Sequence, residues 1–208
     1  MKTIKEHIES EIVEKKSKFI ANMYYVKSIE EAEKRIKESK KKYFDARHNC
    51  SSYRVIEDGK IIEKASDDGE PSGTAGGPML NILQKNDLCN VVVIVTRYFG
   101  GILLGTGGLV RAYSDVTLQA LSEAEMIEIT FGKEFEVKVD YSNLENLKYY
   151  CKKNNINIVN TEYANEIVCN LEIRNEDIER FLEDIQKRNI NIIEYKLICE
   201  KYINSPIK

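Results

Sequence analysis

The stretch VVVIVTRYFGGILLGTGGLVRAY, Val91 to Tyr113, decides the fold of the first part of this chain. Val91 to Thr96 are all β-branched, with no polar alternation, and such a run predicts a central strand buried on both faces. The loop RYFGGILLGTGG follows, and then a long helix is expected, with Leu109, Ala112, Tyr113, Val116 and Ala120 along one face. A buried strand feeding a helix through a short loop implies an α+β layer of sheet and helices.

Upstream of this stretch the pattern supplies further layers. EHIESEIVEKKSKFIANMYYV predicts two strands around Lys15 to Lys18. Ser28, with Glu31 three residues on, forms a capping box for a helix whose buried face is Ile29, Ala32 and Ile36. NCSSYRVI and KIIEKAS flank Glu57-Asp58-Gly59, a hairpin signal, so Ser51, Ser52 and Tyr53 read as ordinary strand residues. Pro78 suits the first position of a helix carrying Met79, Ile82 and Leu83 on its apolar face.

Downstream the composition changes at Gly132, after which there is no further glycine. KEFEVKVDY alternates as a half-buried strand, and NLENLKYYCKKNN spaces Leu144 and Leu147 as a helix. INIVNTEYANEIVCNLEIRN reads as two strands with a turn near Ala164 to Glu166. EDIERFLEDIQKRN is a second amphipathic helix through Ile178, Phe181, Leu182 and Ile185, and INIIEYKLICEKY closes with a strand. The order βαββαβ is that of a split βαβ, ferredoxin-like domain. Two domains are therefore expected, residues 1–131 and 132–208.

Composition bounds the chemistry. The 208 residues carry a net charge of −3, which argues against a generally electropositive nucleic-acid binder. Five Cys form no CxxC pair and there are only two His, so a disulfide framework or a zinc site is not expected. A reducing cytoplasm is the favoured compartment. The charged N-terminus does not resemble a signal peptide, and no apolar run reaches membrane-spanning length.

Nine of the 11 Gly lie between Gly69 and Gly108, which marks two loops leading into helices. One is SGTAGGP, with Ser72, Gly73 and Thr74; the other holds Gly100, Gly101, Gly105, Thr106, Gly107 and Gly108. Helix N-termini opened by glycine are ready anion sites. The plainer alternative is that these glycines serve only tight turns and close packing. Neither known nucleotide fingerprint fits. A dinucleotide motif from Gly105 needs Gly or Ala at Val110, and a phosphate loop from Gly100 needs Lys at Thr106.

Arg97 and Tyr98 emerge at the end of the buried strand, and Arg111 is expected in the first turn of the next helix. A cation there opposes the helix dipole, so a carboxylate or a bound anion should lie close to it. Asp67, Asp68 and Glu70 could pair with Arg97 and Arg111 structurally, or hold them beside a site. Magnesium on those acids and nucleophilic chemistry from Cys50 beside Arg47 and His48 are weaker readings. The basic run Lys34 to Lys42 reads as a solvated helix matched to its dipole.

SKFIA, ARHNCSSYR, DDGEPSGTAGGPML and the Val91–Tyr113 stretch together resemble the IMPACT family, close to its bacterial YigZ branch. The resemblance implies a first domain like the second domain of a small-subunit ribosomal protein, a mixed sheet with helices on one face. The tail is similar to the second domain of bacterial members, which resembles the last domain of elongation factor G. It also implies a link to translation, since eukaryotic relatives regulate initiation by binding an activator of a stress kinase. Two functions are expected as alternatives. One is a regulatory or binding protein acting on RNA, the ribosome or a translation factor. The other is an enzyme acting on a small phosphorylated or carboxylated molecule, with no cofactor or metal and no catalytic residue assigned.

Overall fold

The computed structural model describes residues 1–206, and these divide into two compact units, Met1–Ile127 and Glu128 onward. The division falls inside a long strand, a few residues before the glycine where the composition changes. No helix among the described residues is long and apolar enough to cross a membrane.

The first unit holds β1 (Lys2–Ile4), β2 (Ile8–Glu14), β3 (Ser17–Tyr25), α1 (Ile29–Lys42), β4 (His48–Glu57), β5 (Lys60–Ser66), α2 (Gly76–Lys85), β6 (Val91–Tyr98) and α3 (Gly105–Glu123). Strand β6 is central in the order β2-β3-β6-β4-β5. Each of the two hairpins turns on two successive residues at positive φ, and only Asp58-Gly59 has the residue types that favour this. Lys15 and Lys16 (φ 44° and 66°) join β2 to β3, and Asp58 and Gly59 (φ 50° and 73°) join β4 to β5. Two successive positive φ values match the right-handed twist of paired strands.

Alternation along β6 splits its side chains between two cores. Val91, Val93 and Val95 pack with Phe19, Met23 and Cys50 against Met79 and Leu83 of α2 and Leu109, Tyr113 and Val116 of α3. Val92 and Ile94 pack with Tyr53 and Val55 against Ala32, Ile29 and Ile36 of α1. The α+β class expected from sequence holds, but two details differ. All four pairings in this sheet are antiparallel rather than mixed, and helices cover both faces rather than one. A continuous β-branched run requires that double cover, because both of its faces are apolar.

Helix α1 begins as expected at Ser28, whose Oγ accepts from the Glu31 N–H (3.1 Å). The Glu31 carboxylate, however, accepts from the Lys27 N–H (2.9 Å), one residue before the usual capping-box partner. Helix α2 starts at Gly76, so Pro78 occupies its third position and not its first.

The second unit contains β7 (Met126–Val139), α4 (Leu144–Lys153), β8 (Asn157–Tyr163), β9 (Ile167–Arg174), α5 (Asn175–Gln186) and β10 (Glu194–Pro206). The strand order β10-β7-β9-β8 is that of a ferredoxin-like sheet. Phe135, Val137, Ile167, Cys169 and Leu171 face Leu147 of α4 and Phe181 of α5.

Candidate functional site

The site is set by strand register in the first unit. Arg97 on β6 lies opposite Phe19 on β3 and opposite His48 on β4, so the three side chains form a row on the α2/α3 face. The Arg97 guanidinium sits 5.4 Å from the Phe19 ring and 5.6 Å from the Phe99 ring. Its Nη1 donates to Glu70 Oε1 at 2.6 Å, and the Tyr113 hydroxyl donates to the same oxygen at 2.9 Å. Both members of this ion pair are buried, with side chains 7% and 3% exposed. A buried pair holds only when hydrogen bonds replace the lost water, and Tyr113 supplies one of them. Arg97 Nε has no hydrogen-bond partner within the protein.

The neighbouring acids have separate tasks. Asp67 accepts from the N–H groups of Gly73 (2.8 Å), Ala75 (3.0 Å) and Gly76 (2.8 Å), so its carboxylate caps the entry to α2. Burial would raise its pKa, but those three donors outweigh burial and hold it below the ordinary carboxylate value. Asp68 pairs with Lys40 (2.5 Å) and accepts from the Asn49 N–H (2.7 Å). His48 Nδ1 donates to the Asp68 carbonyl (2.9 Å), which leaves Nε2 as the open ring nitrogen, 3.9 Å from Glu70 Oε1.

A cleft of about 590 Å³ opens over this cluster. Its polar lining is Arg47, His48, Glu70, Arg97 and Thr106, and its walls are Pro71, Phe99, Leu103, Leu104 and Leu109. Gly105 (φ 74°) turns the chain into α3, a conformation that a side chain would strain. Helix α3 has no side-chain cap and no acid in its first turn. Its first amide N–H groups and positive dipole end are therefore uncompensated where Gly105 and Thr106 border the cleft.

The structure thus brings together Arg47, His48, Glu70, Arg97, Gly105 and Thr106 from the residues singled out in the sequence, and leaves the others out of the cleft. Ser72 is exposed, and the Thr74 hydroxyl donates to the Pro71 carbonyl (2.7 Å). The Tyr98 hydroxyl donates to Asp45 (2.8 Å). Gly100 packs against the Lys16 backbone, Gly101 is an exposed turn residue, and Gly107 and Gly108 continue α3.

Arg111 is the main correction. It is exposed and lines a separate depression with Glu14, Lys15, Gly108 and Asp115, away from Arg97 and from Asp67, Asp68 and Glu70. The reason lies in the helix start. Because α3 begins at Gly105, Arg111 is past the first turn, where the dipole no longer penalises a cation. Asp67 and Asp68 likewise do not pair with Arg97, since backbone donors and Lys40 occupy them.

The Cys50 thiol donates to the Asp67 carbonyl (2.9 Å), and burial pushes its pKa up to about 12, which removes it as a nucleophile. Among the described residues no cluster of three or more His, Cys, Asp or Glu is placed to hold a metal ion. The sequence reading missed Phe99, Leu103 and Tyr113 as site residues. Phe99 and Leu103 carried a signal, being large apolar residues inside a glycine loop. Tyr113 looked like any other member of an apolar helix face.

Fold and site define a two-unit α+β protein with a ligand-sized cleft built into its first unit. The chain belongs to the IMPACT family: the Impact N-terminal domain matches residues 15–121, and a domain of unknown function (DUF1949) matches residues 137–188. It is 38% identical to the IMPACT family member YvyE of Bacillus subtilis, over 87% of this chain and 83% of that one. It is 35% identical to the IMPACT family member YigZ of Escherichia coli, over 72% and 74%. A solved structure, described as the crystal structure of a hypothetical protein, superposes with a TM-score of 0.62 at 28% identity, covering 96% of this chain and 98% of the other.

Proposed function

We propose that this chain is a translation-associated regulatory protein that works by binding a protein partner, a translation factor on or off the ribosome. Membership of the IMPACT family supports the link to translation. The observation that carries the choice of partner is the loop between β6 and α3, where Phe99, Ile102 and Leu103 are 44, 43 and 82% exposed. Its backbone is held in place. A Cβ on Gly100 would stand 2.0 Å from the Lys16 carbonyl carbon, and the Gly100 N–H donates to Ser17 Oγ (3.1 Å). Apolar side chains presented from a fixed loop bind with little ordering cost, and clustered exposure of this kind marks interaction sites.

Direct binding of RNA has weaker support. Within the basic run, Lys40 pairs with Asp68, Lys42 with Glu9 and Arg35 with Glu38. In the second unit the sheet face opposite α4 and α5 carries Glu134, Glu136 and Glu172. Glu134 and Glu172 share Lys201 there (2.5 and 2.9 Å), so that cation too is already paired and is not free for a phosphate backbone.

Cosedimentation with ribosomes and capture of purified translation factors test the reading. Association is expected that weakens little with salt and is lost in Leu103→Asp. Absence of association at low salt overturns it, and a steep loss with salt would instead indicate phosphate contacts.

A further inference from the structure

The cleft over Arg97 carries an inference that does not depend on a macromolecular partner. Three independent features converge there. The first is the uncapped start of α3, with Gly105 and Thr106 on the cleft wall and no acid in the first turn. The second is Arg97, only 6% exposed, which spends Nη1 on Glu70 and keeps an unpartnered Nε. The Nε side of a guanidinium is one of its two bidentate edges, and because Glu70 takes only Nη1 that buried edge lacks an acceptor from the protein. The third is His48, 9% exposed, whose Nδ1 is fixed by the Asp68 carbonyl and whose Nε2 has no hydrogen bond within the protein.

Charge bookkeeping favours an anion over a cation. Glu70 and Arg97 cancel, leaving the positive end of α3 and the rim cation Arg47, which is exposed. The walls then define the rest of the ligand. Phe99, Leu103, Leu104, Leu109 and Pro71 are apolar, and about 590 Å³ is within the range of pockets for small organic molecules. A bare inorganic ion would leave those walls wet.

The geometry points to a binding site for a small organic oxyanion, a carboxylate or phosphate head on an apolar body. The head lies among the first amides of α3, Arg97 and His48, and the body lies along Phe99, Leu103 and Leu109. With Nδ1 donating to the Asp68 carbonyl, His48 Nε2 offers a lone pair that accepts from a protonated oxygen of the head. Backbone amides and an arginine fork bind carboxylate and phosphate through the same contacts, so the head is defined as an oxyanion.

The test separates head from body. The full chain, labelled with ¹⁵N, is titrated with hexanoate and hexyl phosphate, and in parallel with acetate, inorganic phosphate and hexanol. At least one of the two long anions is expected to bind about tenfold or more tightly than any of the three fragments. The largest amide shifts should fall on Gly105, Thr106 and Gly107. Thr106→Pro removes one of those amides at a helix position that tolerates proline, and it should weaken binding about tenfold. Thr106→Ala, which keeps the amide, should bind as the wild type does.

Equal affinity for hexanoate, hexyl phosphate and hexanol, or shifts confined to residues outside the cleft, overturns the proposal. So does unchanged affinity in a folded Thr106→Pro variant; if that variant fails to fold, the wild-type shift map decides. No response to either long anion at about 10 mM refutes it as well. Because ribosomes and translation factors are absent, failure here leaves the partner-binding reading standing, and the reverse also holds.

Discussion

Replacing Arg97 or Glu70 singly should be far more damaging than replacing both. Each single change strands a charge in a site where the two side chains are 7% and 3% exposed. Removing one partner of such a pair costs about 3–5 kcal/mol, because the survivor is left without water or counter-charge. Arg97→Met also gives up the guanidinium contacts with Phe19 and Phe99, worth about 0.5–1 kcal/mol each. Glu70→Leu leaves both Arg97 Nη1 and the Tyr113 hydroxyl without their acceptor. In the double variant no charge is buried, and the remaining penalty is the Tyr113 hydroxyl left without its acceptor, about 1–3 kcal/mol, together with the ring contacts already lost with Arg97. The double variant should therefore be more stable than either single one. With no Trp in the chain, urea unfolding is followed by circular dichroism and tyrosine fluorescence, on wild type, both singles and the double. A double variant that costs the sum of the singles would refute the reasoning, since it would mean the two groups are not coupled.

Three further outcomes follow from the same geometry. Asp67→Asn keeps one acceptor oxygen for three donors and should cost about 1–3 kcal/mol. Because the folded pKa of Asp67 is lowered, its contribution is fully present above the unfolded value of about 3.9 and lost as pH falls through the folded value, so the variant's acid-unfolding profile should be flatter in that window. Arg111→Ala should change stability by no more than about 0.5 kcal/mol, read from its melting temperature, since Arg111 is exposed and lies away from the acids around Arg97. A fragment beginning at Glu128 should fold cooperatively, whereas one beginning at Gly132 should melt lower. It lacks buried Ile129 and also the exposed Phe131, whose ring meets Tyr202 edge-on at 5.4 Å. Equal melting of the two fragments would show that these residues add nothing to the second unit.

The sequence by itself determined the elements and their faces. The β-branched run at Val91 to Thr96, the Asp58-Gly59 turn, the Ser28 cap and the βαββαβ order each express a local rule, which acts within a few residues and leaves its mark in spacing. It also placed Arg97 at a strand end and put Gly105 and Thr106 in a glycine-rich loop leading into a helix. Tertiary structure alone decided how those pieces meet. Register across β3, β6 and β4 put Phe19, Arg97 and His48 in one row, although no spacing in the chain links them. It also chose Glu70 over Asp67 and Asp68 as the partner of Arg97, and it made Tyr113 a hydrogen-bond donor as well as a core residue. Arg111 shows the limit most clearly, because moving a helix start by a few residues removes the electrostatic reason for a partner. Pairing between charges depends on distance and on exclusion of water, and both are fixed only when separate elements close on one another.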